Sequence, residues 1–187
     1  MAGGTDVHEP FDINADTLRE ECGVFGILGH EDASALTALG LHALQHRGQE
    51  AAGIVTVDNE QFRAERHLGL VGDHFSDADT IERLSGKAAV GHVRYSTTGE
   101  TILRNVQPLF AELDGGGIAV CHNGNFTNAL TLRRQLIRDG AICQSTSDSE
   151  VVLQLVARSR KGKIVERFID AITQMVASVL GVASAAV

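Results

Sequence analysis

Arg19-Glu20-Glu21-Cys22-Gly23-Val24-Phe25-Gly26-Ile27 sets an acidic run against a cysteine that opens a short apolar stretch. Two readings follow. If the chain is cut before Cys22, one residue carries both a thiol and a free α-amine, a nucleophile with its own base attached. If it is not, Cys22 is a small apolar residue at the start of a strand, the ordinary use of a lone cysteine.

Working outward, Gly3-Gly4, Pro10 and scattered acids leave residues 1–21 without sustained periodicity, and they read as a leader. This stretch has no apolar core of a secretory signal. After Cys22–Leu28, helical spacing of Leu36, Leu39, Ala43 and Leu44 predicts a helix over Ala33–Gln45, closed by His46-Arg47-Gly48. Ala51–Val57, Gln61–Arg66 and Ala88–Arg94 read as strands, with an Asp58-Asn59 turn between the first two. Asp77–Leu84 reads as a short helix. Asp114–Gly117 is a turn before a strand at Ile118–His122. Helices are expected at Asn128–Asp139 and Asp148–Ser159, and a further helical stripe runs from Val165 to Val179. Strands early and helices late, without βαβ alternation, predict an α+β layered domain with mainly antiparallel sheet.

The 187 residues allow one domain, and 43% apolar content suffices for a core. A net charge of −8 argues against nucleic acid or an anionic membrane as the main partner. Three cysteines without metal-ligand spacing fit a reducing cytosol better than a disulfide framework. The apolar stretch Met175–Val187 falls short of the roughly 18 residues that a spanning helix needs.

Four polar segments carry potential chemistry. Gln45-His46-Arg47-Gly48-Gln49-Glu50 has a plain reading as a helix end, with cations at the negative pole. His92-Val93-Arg94-Tyr95-Ser96-Thr97-Thr98-Gly99 places a guanidinium at a strand end before three hydroxyls, a combination suited to a small carboxylate. Cys121-His122-Asn123-Gly124-Asn125 is either an Asn-Gly turn or a pair of donors for an oxyanion. Here Cys121 reads as a buried strand residue and His122 as structural, with a base as its alternative. Ser147-Asp148-Ser149-Glu150 has the pattern of a capping box, and Asp148 is free within it to hold an ammonium group. Together these are the parts needed to hydrolyse the side-chain amide of an amino acid such as glutamine.

Taken in order, Cys22-Gly-Val-Phe-Gly-Ile27, Leu44-Gln-His-Arg-Gly-Gln-Glu-Ala-Ala-Gly-Ile54, Gly91-His-Val-Arg-Tyr-Ser-Thr-Thr-Gly99, His122-Asn-Gly-Asn125 and Ser147-Asp-Ser-Glu150 resemble the glutaminase domain of the amidophosphoribosyltransferases. Asn105-Val-Gln-Pro-Leu109 fits the same family better than other class II glutamine amidotransferases. The resemblance implies an N-terminal nucleophile hydrolase fold, a four-layer αββα sandwich of antiparallel sheets, here C-terminally incomplete. It implies Cys22 as nucleophile, Asn123 and Gly124 as oxyanion hole, and Arg47 as support for the nucleophile end. It further implies a glutamine site at Arg94, Tyr95, Thr97, Thr98 and Asp148, and no metal site.

On that basis residues 1–21 are a propeptide removed at Glu21–Cys22, beyond the reach of initiator-Met removal, and the uncut chain is inactive. Residues 22–172 form a partial glutaminase domain, and 173–187 are an atypical tail suggesting a truncated or fragmentary product. No phosphoribosyltransferase half is present. The family's reaction uses glutamine to convert phosphoribosyl pyrophosphate to 5-phosphoribosylamine, the first committed step of purine synthesis. In this segment no cofactor is expected, whereas full-length members use Mg2+ and some hold a 4Fe-4S cluster. They are cytoplasmic homo-oligomers with no membrane or nucleic-acid partner. Open alternatives are another class II amidotransferase glutaminase, a non-catalytic remnant acting at most in binding, and a bare cysteine hydrolase with His122 as base.

Overall fold

A computed structural model describes residues 22–95 and 101–179. The leader, Ser96–Gly99 with Thr97 and Thr98, and the last residues of the tail lie outside the described residues.

Strand β1 (Gly23–Leu28) is followed by helix α1 (Ala33–Ala43) and a 3₁₀ turn at Gln45–Arg47, where the expected helix tightens instead of continuing. Strands β2 (Ala51–Asp58) and β3 (Gln61–Leu68) form a hairpin. Its turn is Asn59–Glu60, both at positive φ (46° and 66°), one residue later than the sequence pattern places it. Two short helices, α2 (Val71–His74) and α3 (Ala78–Arg83), lead to β4 (Ala88–Arg94). The N-cap of α3 is Asp77, whose carboxylate accepts the Thr80 N–H at 3.1 Å. A second hairpin, β5 (Leu109–Leu113) and β6 (Gly116–Val120), precedes α4 (Ala129–Arg138), α5 (Asp148–Arg158) and α6 (Ile164–Val179). The sequence pattern misses β5, which is five residues long and turns at once into β6. Helix α6 runs without a break through residue 173 and buries Met175.

The first four strands form one antiparallel sheet in the order β1-β4-β2-β3, and β5-β6 form a second. Strand alternation sorts the first sheet into two faces. Ala89 and Val93 of β4, Ala52 and Ile54 of β2 and Phe25 of β1 pack with Leu41 and Ala38 of α1. Glycine at 91 permits this close approach, because a Cβ there would sit 2.7 Å from both Leu41 and Thr37 side chains.

The opposite face meets the second sheet. Phe62 of β3 stacks on Phe110 of β5 at 5.6 Å, and the Cys121 thiol reaches the Gly91 carbonyl. Beyond the second sheet, Val151, Val152, Leu155 and Val156 of α5, with Ala171 and Met175 of α6, pack against Leu109 and Val120. The layers therefore run helix, sheet, sheet, helix, the expected α+β sandwich. The second sheet has only two strands among the described residues. The inward face of β1 stays open, with Val24 40% and Leu28 86% exposed.

Candidate active site

The ends of β1 and β4 meet at Cys22. The Cys22 N–H donates to the Arg47 carbonyl at 3.0 Å, and Arg47 Nε donates back to the Cys22 carbonyl at 2.8 Å. Asn123 Nδ2 reaches the same carbonyl at 3.4 Å. The Tyr95 N–H approaches Cys22 Sγ at 3.4 Å, and the thiol lies 3.5 Å from the Tyr95 carbonyl. Cys22, Arg47, Asn123 and the Tyr95 backbone are thus one cluster, although they are far apart in sequence. The Tyr95 side chain itself is exposed. The Cys22 backbone has φ +61°, a left-handed conformation that a side chain disfavours.

Arg47 is not the simple cationic end of a helix. The 3₁₀ turn swings it beneath Cys22, and Gln45 fixes that turn by accepting the Val71 N–H at 2.6 Å while donating to the Gly48 carbonyl. Gly48 then passes against β4, where a Cβ would lie 2.6 Å from the Arg94 carbonyl carbon.

Burial pushes the Cys121 thiol up to about 12, so it stays protonated at neutral pH. Cys143 is also raised, chiefly by burial. Of the three cysteines, Cys121 and Cys143 form no disulfide among the described residues. Of the three, Cys22 alone sits among converging backbone donors and a guanidinium.

Beside this cluster lies a cavity of about 530 Å³, lined by Arg94, Asn105, Asn125, Phe126, Ser147 and Asp148 among others. That volume falls within the roughly 300–1,000 Å³ of small-molecule sites. Cys22 is not among its lining residues. Arg94 Nε is buried and has no hydrogen-bond partner among the described residues. Asp148 Oδ2 accepts the Phe126 N–H at 2.9 Å. Burial would raise the Asp148 carboxyl, but His122, the Phe126 N–H and the Ser149 backbone outweigh it and hold it below its ordinary range. The cavity therefore carries a guanidinium whose Nε has no partner among the described residues and an ionised carboxylate, the complement of an amino acid's α-carboxylate and α-ammonium.

The Ser147–Glu150 segment departs from a capping box. Ser147 Oγ does accept the Ser149 N–H at 3.3 Å. Glu150 turns away to take the Gln144 and Ser145 N–H groups, at 2.6 and 2.9 Å, and Arg133 at 3.1 Å. It anchors the loop before α5, and its carboxyl is lowered: burial opposes ionisation, and these donors overcome it. His122 is likewise engaged at Nδ1, 3.0 Å from Ser149 Oγ, while Nε2 lies 3.3 Å from Asp148 Oδ2 without an aligned hydrogen bond among the described residues. Sequence reasoning missed the roles of Ser149, Gln107 and Glu150. Their signal, buried polar side chains joining distant segments, exists only in three dimensions.

Comparison with known proteins gives the family. A family model described as a glutamine amidotransferase domain matches residues 92–183. An amidophosphoribosyltransferase of Lacticaseibacillus casei is 52% identical over 151 residues, covering 81% of this chain and 75% of the relative. The chain belongs to the amidophosphoribosyltransferase family. Another amidophosphoribosyltransferase, of Rhizobium etli, is 71% identical over 163 residues, 87% of this chain and 33% of its own length. This family member therefore spans about a third of that relative. Among solved structures, one titled as the allosteric regulatory enzyme of purine biosynthesis aligns with a TM-score of 0.75 and 43% identity, over 81% of this chain and 32% of the other. The B. subtilis glutamine phosphoribosylpyrophosphate amidotransferase, in complex with ADP and GMP, aligns at 0.73 and 42%, with the same coverage.

Among the described residues no group of three or more His, Cys, Asp or Glu is placed to hold a metal ion. No described helix is long and apolar enough to cross a membrane.

Proposed function

We propose that this chain hydrolyses the side-chain amide of glutamine and supplies ammonia for the formation of phosphoribosylamine from phosphoribosyl pyrophosphate. The observation that carries the reading is the pairing of Arg94 and Asp148 on one cavity beside the Cys22 cluster. Arg94 clamps the glutamine α-carboxylate and Asp148 its α-ammonium, with Tyr95, Thr97 and Thr98 as the further binding residues.

Cys22 Sγ attacks the amide carbon, and its own α-amine takes the thiol proton directly or through water. A free α-amine titrates near pH ~8 in model peptides, within range of a base at neutral pH. Asn123 Nδ2 and the Gly124 N–H receive the oxyanion, and ammonia departs with the proton returned. Water then cleaves the thioester to glutamate. Asn123 now donates to the Cys22 carbonyl, so it must turn to serve the oxyanion.

In this reading residues 1–21 are a propeptide, residues 22–172 the glutaminase unit, and the phosphoribosyl-transfer chemistry belongs to sequence like that which fills the rest of the longer relatives. We place the protein in the cytosol, as a homo-oligomer when joined to that second half. The test is to expose Cys22 as first residue, treat the protein with an electrophilic glutamine analogue and map the adduct by mass spectrometry. A single adduct on Cys22, absent from Cys22→Ser, is expected. Folded, trimmed protein that takes no label overturns the reading.

A further inference from the structure

His122 lies just past the end of β6, immediately before Asn123 and Gly124. Its backbone N–H and one ring nitrogen are hydrogen-bonded. Its backbone N–H donates to Gln107 Oε1 at 2.9 Å, and its ring packs on Phe126 with centroids 4.6 Å apart. Nδ1 is 3.0 Å from the hydroxyl of fully buried Ser149. Nε2 is 3.3 Å from Asp148 Oδ2, buried, and has no aligned partner among the described residues.

An ionised carboxylate only accepts, so the proton belongs on Nε2, and Nδ1 accepts from the Ser149 hydroxyl. At 3.3 Å the pair is a close polar contact and not an aligned hydrogen bond. The same Oδ2 already takes the Phe126 N–H at 2.9 Å. The last torsion of a carboxylate is intrinsically broad, and the Nε2 contact adds a restraint on the oxygen that the Phe126 N–H already holds.

We infer that His122 is a positioning residue that fixes the Asp148 carboxylate for the ligand's α-ammonium and so sets the preference for α-amino acids over their des-amino analogues. The inference rests on the proposed glutamine site. Ser149 fixes the ring, the ring fixes Asp148, and the residue that follows His122 supplies the oxyanion donor. One imidazole therefore ties amino-group recognition to the turn at Asn123. Burial opposes ionisation of Asp148, and His122 comes first among the contacts that outweigh it and hold the carboxyl below its ordinary range.

The test uses a non-reactive pair, L-glutamate and glutarate, bound to the full chain and measured by calorimetry. L-Glutamate is expected to bind more tightly than glutarate, and His122→Phe, which keeps the ring on Phe126, to lower that ratio by about tenfold. His122→Gln retains an N–H toward Asp148 and is expected to restore most of the ratio. If His122→Phe does not fold, Ser149→Ala releases the ring without replacing it, and its ratio must also fall. An unchanged ratio in the folded His122 or Ser149 variant, with a ratio collapsed by Asp148→Asn, overturns this inference and leaves the glutamine site standing. If Asp148→Asn leaves the ratio unchanged, or neither ligand binds, the glutamine site itself is wrong and the inference falls with it.

Discussion

Arg47 holds Cys22 from both sides of its backbone: its carbonyl accepts the Cys22 N–H at 3.0 Å, and its Nε donates to the Cys22 carbonyl at 2.8 Å. Backbone groups do the positioning, so the thiol itself is left to face the Tyr95 amide.

Removing the guanidinium breaks half of this clasp. Arg47→Ala is expected to lower glutamine hydrolysis by about 10–100-fold in protein that opens at Cys22, the worth of one charge-assisted hydrogen bond. Glutamate affinity should stay within about twofold, because Arg47 does not line the cavity. Arg47→Lys, without the planar fork, should recover little of the rate. Hydrolysis at the normal rate by Arg47→Ala would rule out the clasp as a positioning device.

Gly48→Ala places a methyl group against the Arg94 backbone, 2.6–2.8 Å from its atoms. Neither side yields easily, because the Glu50 N–H donates to the Arg94 carbonyl at 3.2 Å and Ala51 pairs with Arg94 in the sheet. A cost of about 1–3 kcal/mol is expected. Thermal melts should show a drop of about 3–10 °C. A melt superimposable on that of the parent protein would disprove the collision.

His92 sits fully buried between the sheets, and neither ring nitrogen finds a partner among the described residues. Burial first, then the charges of Arg94 and His122, push it down to about 4, with the His122 backbone pulling weakly the other way. Below pH ~6.5 the unfolded chain takes up a proton that the folded chain refuses. Stability should therefore fall by about 3 kcal/mol at most between pH ~6.5 and ~4. His92→Met should remove that slope and be neutral or stabilising at pH 7, since the buried nitrogens give up no bond. Urea melts across this pH range decide it; an unaltered slope in His92→Met contradicts the prediction.

Glu150 has the opposite sign in its chemistry and the same direction in pH. Its carboxyl is lowered in the folded protein, so its contribution is present above its unfolded value near pH ~4.3 and is lost as pH falls through the folded one. Glu150→Gln cannot accept from Gln144, Ser145 and Arg133 together. At pH 7 it should cost about 1–3 kcal/mol, and the deficit should shrink at pH 3. Denaturant midpoints at the two pH values test this, and an equal deficit at both would refute it.

Much of this was legible in the sequence because local pattern carried it. Short apolar runs announced β2 and β4, and helical spacing announced α4, α5 and α6 within a residue or two. Cys22, Arg94 and Asp148 were legible as chemistry because each sits at an element end within a motif that the family resemblance carries. What stayed hidden was long-range. Local pattern reads Arg47 as a helix terminus, and only the family resemblance implies the place beneath Cys22 to which the 3₁₀ turn brings it. Glu150 looked like a capping partner until the fold brought residues 144 and 145 to it. His122 could not be assigned from neighbours in sequence, since Ser149 and Asp148 lie on another helix.

The left-handed twist at Cys22 has a consequence for chemistry upstream of any substrate. The torsion φ at residue 22 exists only while the carbonyl of residue 21 is attached, because that carbonyl carbon is one of its four atoms. With φ at +61°, the joined chain stores on the order of 1–2 kcal/mol in that single bond. Once Cys22 is a first residue, the torsion vanishes and the stored energy goes with it. Rejoining the two pieces would require winding the bond up again, so a cut at this position acts as a ratchet that favours the open, amine-bearing form by roughly tenfold.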